Sequence, residues 1–367
     1  MTIDPLFNMH KIRFTKLDEL ISNNCSDITN KSNINVFINF ETILSTLTKG
    51  DIEKYFRMTR NNKVFEFISN ILNLASHYRL YFSKNKLFSK IFIYIGYPFD
   101  SVFKNKSINP NYRCTYNHKY GAGMTNFSTH DVVSESIDQS KTIFEYIDNV
   151  YLIASGIVEP ALIPTIVNDD QDNKAINFLV TKDPYEYQYV NKGYYILRPK
   201  SDKSYLVSKN NVIDIMKQEN NIVSDIMVDT EYLPFILSLL GDKKRNIEKV
   251  RGIGFGRLIK LIQLNLDMNI LSPNVFNINL LSDVLKPEIR DILLKNYYCT
   301  DVDTQMKLLN FRDKHIILDQ LKDKFDNDGL KKMNEMYFRE NPINLIELTS
   351  GDKYLKKEKV DIFKVRS

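Results

Sequence analysis

Residues 241–262 read GDKKRNIEKVRGIGFGRLIKLI, and their types and spacing suit one kind of chemistry, a grip on phosphate oxygens. Gly252 and Gly254 flank Ile253, so a tight turn can bring backbone N–H groups close to another molecule with no Cβ in the way. An amphipathic basic helix follows and points its positive N-terminal end at that turn. Arg251, Arg257 and Lys260 lie around the same place. Such contacts go to phosphates and not to base edges, so they predict a hold that depends on salt and ignores base sequence. A second basic stretch, residues 100–127, has no clear period. It carries Lys104, Lys106, Arg113, His118 and Lys119 among Asn, Tyr and Gly, and reads as a basic loop or arch. Tyr112, Tyr116 and Tyr120 interleave with these cations. That mixture either stacks the bases of a single strand or packs the arch on the body.

Residues 241–262 resemble the helix–three-turn–helix of the flap endonuclease and 5′ exonuclease family. Gly241, Asp242, Lys243, Asn246, Ile247, Val250, Gly252, Ile253 and Gly254 match the family pattern in register, while Arg245 stands where its second aspartate belongs. Residues 178–190, FLVTKDPYEYQYV, resemble the family's strand-to-loop motif through Val180, Thr181, Asp183, Gln188 and Val190. Pro110, Tyr112 and Arg113 fit the start of its arch. The resemblance runs from about Asn35 to Leu264. It implies an α/β, PIN-like fold: a mostly parallel sheet flanked by helices, then the helix–three-turn–helix, then a C-terminal helical region. It implies DNA, duplex or junction, as partner, with replication, repair or transcription proteins beside it. Arg113, Lys119, Arg251, Gly252, Ile253, Gly254, Arg257 and Lys260 become the candidate DNA-binding residues. A K⁺ held by backbone carbonyls at the Gly252–Gly254 turn is implied in the same way.

Phosphodiester hydrolysis in that family uses two divalent ions, Mg²⁺ or Mn²⁺, about 4 Å apart on a cluster of carboxylates. Here the expected places hold other residues. Asn39-Phe40 replaces Asp-Gly, and Ile95 takes the ligand place of the second strand. Val158, Pro160 and Ala161 occupy the acidic positions of a helix start. Tyr185 and Arg245 replace two further aspartates. Only Asp183 and Asp242 remain in register, as weak metal ligands if a metal binds at all. Their alternative role is as caps of a helix and a turn. No catalytic residue is assigned. Glu41, Glu159 and Glu186 lie one or two positions away. One helical residue is a rotation of about 100°, so they are expected to aim elsewhere. Pro160 and Pro164 are expected to distort the helix that bears the central acids. Tyr185 and Ile95 are expected to plug the old site with apolar bulk.

The positioning elements alternate. Residues 35–39, 90–95, 175–180 and 193–197 read as buried strands, and 63–82 and 131–154 as helices. From residue 225 the pattern is helical apart from loops near Ser272 and Asn341. This suggests three regions: 1–224 with the arch, 225–270, and 271–367 with a lysine-rich tail. Net charge is +5 over 367 residues, mildly basic and compatible with nucleic acid. The 3 cysteines, Cys25, Cys114 and Cys299, are widely spaced and support neither a disulfide framework nor a zinc site. No apolar run is long enough for a membrane and the N-terminus is no signal peptide, so an intracellular, cytoplasmic protein is expected. The abundance of Lys, Asn, Ile and Tyr with no Trp suggests an AT-rich source such as a phage. Three readings stay open: a catalytically inactive relative that binds DNA phosphates or docks on a partner, an active metal-dependent 5′ nuclease with a reduced ligand set, and a protein-interaction or virion component.

Overall fold

The structure is a computed structural model. It describes residues 33–40, 75, 78–79, 88–96, 107–110, 137–145, 147, 149–170, 175–198, 205–219, 229–242, 245–251 and 287–321. Six strands form one sheet: β1 (Asn33–Asn39), β2 (Phe88–Gly96), β3 (Val150–Ser155), β4 (Ile176–Val180), β5 (Tyr195–Arg198) and β6 (Tyr205–Val207). Their order is β3-β2-β1-β4-β5-β6. All neighbours run parallel except β6, which returns antiparallel to β5. The fold class is therefore α/β with a mostly parallel sheet.

The parallel strands are apolar runs because both faces are covered. Every residue from Ile34 to Asn39 is buried. One ladder row crosses all six strands through Tyr151, Phe92, Phe37, Leu179, Ile196 and Val207. Phe37 stacks on Phe92 at 4.9 Å and Phe92 on Tyr151 at 5.2 Å, and all six residues belong to one core cluster.

Residues 131–154 do not form one helix. A helical stretch at 137–144 ends, and Asn149 takes a left-handed φ of 59° before β3 begins. The run VYLIAS that follows is rich in β-branched and aromatic residues and is buried throughout. Edge pairing with β2 outweighs its weak helical periodicity. The strand expected at 193–197 starts later, because Gly193 adopts φ 79° as the cap of the preceding 3₁₀ helix. The helix expected at 63–82 is described only at Ala75, Tyr78 and Arg79.

The helices that matter for the site are α1 (Ile163–Asp170), α2 (Val212–Glu219), α3 (Leu233–Leu240), α4 (Pro287–Thr300), α5 (Val302–Leu308) and α6 (Phe311–Leu318). α4 packs on α3, and α6 packs on α1 and β3. Leu293, Val302, Leu309 and Ile317 from the C-terminal helices belong to the same core cluster as the strands. Among the described residues no helix is long and apolar enough to cross a membrane.

Candidate functional site

In a parallel sheet the crevice beyond the strand C-termini, where the strand order reverses, is the place that gathers functional groups. Here the order reverses between β1 and β4. β1 ends at Asn39 and β2 carries Tyr94 opposite it. β4 runs out at Val180 and leads through Thr181 to Asp183.

Asp183 begins a 3₁₀ helix, Pro184–Lys192. Its carboxylate accepts from the backbone N–H of Tyr185 at 3.1 Å, and the Thr181 hydroxyl oxygen accepts from its own N–H at 3.0 Å. Pro184 fits at N1, where no N–H is needed. Across the crevice, Glu159 precedes Pro160, which opens a one-turn 3₁₀ helix leading into α1. The residue before a proline is pushed to extended backbone, and Glu159 has φ −56° and ψ 124°. Its side chain makes no cap and is turned inward instead.

The third contributor is a tight turn after α3. Asp242 and Ile247 exchange two backbone hydrogen bonds, at 2.9 and 2.8 Å. Asn246 closes the loop with φ 54°. Gly241 enters it with φ 66°, and a Cβ there would lie 2.6 Å from the Lys249 nitrogen and 2.7 Å from the Ile247 carbonyl oxygen. The turn leaves Arg245 pointing into the protein, 1% exposed.

Arg245 is the centre of the site. Its Nη1 donates to Asp183 Oδ1 at 3.1 Å and to Asp242 Oδ2 at 2.5 Å. Its Nη2 donates to Asp183 Oδ2 at 2.8 Å and lies 3.1 Å from Glu159 Oε1, to which Nε also donates at 3.1 Å. The Asp183 contact is the bidentate fork that suits a planar guanidinium. The Tyr185 ring covers one face of the cation, 4.1 Å from its carbon to the ring centroid. An arginine this deeply buried is stable only when paired so fully.

Beside this cluster Glu186 is fully buried. Its Oε1 accepts from the Tyr94 hydroxyl at 2.7 Å and from Asn39 Nδ2 at 2.9 Å. Burial, and then the neighbouring Asp183 charge, push its carboxyl up to about 7, although hydrogen bonds from Thr181, Tyr94 and Asn39 pull the other way. Burial and the Glu186 charge raise the Tyr94 phenol well above its ordinary range.

Several expectations are corrected. Glu159 and Glu186 do not aim away: Glu159 sits on extended backbone and Glu186 on a 3₁₀ helix, so rotation around an α-helix does not apply to either. Pro160 and Pro164 do not break a helix interior; they lie at the start of the 3₁₀ turn and at the second residue of α1. The site is not filled by an apolar plug. A guanidinium fills it, with Tyr185 as its lid and Ile95 buried in β2. The Glu159-Pro160 and Asp183-Pro184 pairs are the sequence signals that put Glu159 and Asp183 on extended backbone. Asp183 and Asp242 do share a pocket, and Glu159 joins them.

Arg251 is exposed at the end of the described turn, whereas the Val250 side chain is buried and its N–H donates to the Leu239 carbonyl at 3.1 Å. Gly252, Ile253, Gly254, Arg257, Lys260, Arg113 and Lys119, with the K⁺ expected at the turn, lie outside the described residues. Near the arch, Asn109 is described: its amide donates to the Asn246 carbonyl at 3.2 Å. The C-terminal helices brace the site from behind. Gln188 donates to the Thr300 carbonyl at 2.7 Å, and Asn296 donates to the carbonyls of Ser238 and Glu248 at 2.8 and 2.6 Å.

Mg²⁺ or Mn²⁺ requires oxygen ligands at about 2.1 Å, free of competing donors. The oxygens of Asp183, Asp242 and Glu159 instead receive Arg245 N–H groups, and a fixed positive charge lies among them. These residues do not fit a divalent ion. Among the described residues no group of His, Cys, Asp and Glu is arranged to hold one.

No protein-family profile matches the chain, and no curated protein matches it. Among solved structures it is similar to a bacteriophage T5 flap endonuclease pseudo-enzyme–product complex with DNA and metal ions, at 16% identity and TM-score 0.48, covering 83% of this chain and 100% of that one. It is similar to the T5 5′-exonuclease with bound zinc at 15% identity and TM-score 0.48, covering 84% and 99%. The likeness to the catalytic core of Rad2 in complex with DNA is 10% identity and TM-score 0.34, covering 88% and 98%.

Proposed function

We propose that this protein is a catalytically silent relative of the flap endonucleases and 5′ exonucleases that holds DNA by its phosphates, without base specificity. One observation carries the silent half: the Arg245 guanidinium, 1% exposed, is bonded to Asp183, Asp242 and Glu159 in the crevice where the fold gathers its carboxylates. A fixed monovalent cation has no open coordination position. It cannot bind and activate a water as a metal ion does, nor bridge an attacking and a leaving oxygen. Arg245 is also held by too many partners to swing out at little cost.

The DNA-holding half rests on the sequence motif at Gly252–Gly254 with Arg251, Arg257 and Lys260. It is supported by the turn immediately before it, where Asp242 and Ile247 exchange paired backbone hydrogen bonds. A replication, repair or transcription protein is the second kind of partner such a surface would serve.

The test is a cleavage assay on flap, nicked and single-stranded DNA with Mg²⁺ and with Mn²⁺. No product is expected. Turnover that disappears in Asp183→Ala and Asp242→Ala would overturn the proposal and establish the active-nuclease reading.

A further inference from the structure

We infer that the surface around Phe311, at the junction of α5 and α6, binds single-stranded nucleic acid: a base stacks on the Phe311 ring while Lys307, Arg312 and Lys314 take the flanking phosphates. This contact lies outside the Gly252–Gly254 motif and does not depend on the grip proposed there.

Phe311 is 78% exposed, more than any other large hydrophobic among the described residues. It is the first residue of α6, where a polar residue would serve the helix equally well. Its projection is built and not a loose end. Asn310 and Asp313 close a capping box: the Asn310 side chain accepts from the Asp313 N–H at 2.9 Å, and the Asp313 carboxylate accepts from the Asn310 N–H at 3.1 Å. Leu309 before the ring and Ile317 after it are anchored in the core. His315, one turn on, sits against the ring, with centroids 3.9 Å apart and planes tilted by 60°. The rest of the ring faces solvent.

The free charges around it have one sign. Lys307 and Arg312 are exposed and Lys314 is half-buried, and none of the three makes an ion pair. The acids of the same stretch are engaged: Asp303 pairs with Lys192, and Asp313 is buried in the capping box. A peptide partner is gripped when its own anchor side chain sinks into a pocket. Here the aromatic belongs to this chain and stands out from it. A projecting ring among unpaired cations is a stacking platform, because every base has a π-face and its phosphates answer the cations. The bases of a duplex are already stacked on one another, so the ligand is a single strand.

The chain has no tryptophan, so Phe311→Trp places a unique fluorophore at this surface and reads it separately from any other DNA contact. The full-length variant is titrated at low salt with oligo(dT) and oligo(rU) of about 15 nucleotides, with the oligo(dA)·oligo(dT) duplex, and with poly-L-glutamate. It should melt with the wild type, and both single strands should quench its fluorescence to a similar extent, since DNA and RNA share base faces and phosphates. Adding Arg312→Ala should weaken that quenching about threefold or more and lower its salt slope by roughly 0.7. Adding Gly254→Val should leave it unchanged, so failure of the Gly252–Gly254 grip and failure of this surface are told apart. By anisotropy, Phe311→Ala should bind oligo(dT) roughly fivefold or more weakly than the wild type, and Phe311→Tyr should restore the affinity. Absence of quenching by either single strand overturns the assignment. Equal quenching by the duplex overturns the stacking, and equal quenching by poly-L-glutamate makes this a surface for acidic polypeptides instead. A Tm lowered in Phe311→Trp would make the ring a packing residue, which overturns it too.

Discussion

At the scale of single residues, burial sets how much each charge matters. Lys192 and Asp303 make a close ion pair, but their side chains are 29% and 66% exposed. Solvent screens that pair, so Asp303→Ala should shift stability by no more than ~1 kcal/mol. Asp183 is different. Its side chain is 4% exposed and takes both arms of the Arg245 fork while capping the 3₁₀ helix. Asp183→Ala leaves a buried guanidinium without its bidentate partner and should cost about 3–5 kcal/mol in urea unfolding. Removing Arg245 as well should not recover that loss, since the buried Glu159 carboxylate would then lose its own guanidinium partner. A small effect of Asp183→Ala would mean that Arg245 escapes to solvent. Glu186 gives the pH dependence. Its folded carboxyl titrates near 7 against 4.5 for an ordinary one. The folded state therefore binds more protons between those values. The stability Glu186 contributes is complete below about 4.5 and is lost as pH rises to about 7. Glu186→Gln mimics the protonated acid and can still accept from Tyr94 and Asn39. Variant and wild type should match near pH 4.5, and the variant should be more stable by roughly 2–3 kcal/mol at pH 8. Equal stability across that range would show that the native carboxyl is not raised. In the sequence, Asp183 and Asp242 stand out by position, and so does the substitution at Arg245. The meeting of all three with Glu159 does not. Ion pairs across 62 and 86 residues have no local periodicity to announce them.

At the scale of elements, the signals that read correctly are those that local sterics dictate. β1, β2 and β4 are short β-branched and aromatic runs, and the structure keeps them as strands. β3 escapes because it follows a helix with no glycine or proline between them, and its break is a left-handed asparagine. β6 has three residues and gains its identity only by pairing with β5. The extended backbone of Glu159 is legible from the proline that follows it; its inward aim is not. Gly241 is the element-scale residue whose substitution should tell most. It combines φ 66° and ψ 175° with backbone atoms closer than 3 Å to any added Cβ. Gly241→Ala must therefore shift the Asp242–Ile247 turn, since neither the strain nor the clash is relieved by a side-chain rotation. The expected cost is ~3 kcal/mol by denaturant midpoint. Hydrogen exchange at Ile247, whose N–H donates to Asp242, should speed up with it. At Gly193, where φ is 79° but nothing lies within 4 Å of an added Cβ, the same change should cost only about 1 kcal/mol. If the two substitutions cost the same, backbone crowding is not what fixes the turn.

At the scale of the whole molecule, the C-terminal helices and the sheet share one core, so the Arg245 crevice and the turn through Val250 are parts of one body. On the proposed reading, a chain of net charge +5 needs no divalent ion to hold DNA by its phosphates. Its affinity should come from lysine and arginine displacing counterions. Fluorescence anisotropy on a duplex with a 5′ overhang should therefore show weak binding, indifferent to base sequence and lost at high salt. It should be unchanged between EDTA and Mg²⁺ once ionic strength is matched. Arg257→Ala and Lys260→Ala should each weaken binding and lower the salt slope by roughly one unit. Gly254→Val should weaken it more, because a β-branched residue is a poor fit both for the glycine turn that the motif implies and for close approach to a phosphate. Asp183→Asn serves as the contrast: it should lower stability but leave the affinity of the folded fraction intact, since Asp183 faces Arg245 inside the protein and not the solvent. Binding that requires Mg²⁺ at constant ionic strength would place a metal in the interface and contradict a purely phosphate-held complex. Absence of binding at low salt, or binding indifferent to all three substitutions at the turn, would instead favour a nuclease-like fold reused as a protein scaffold.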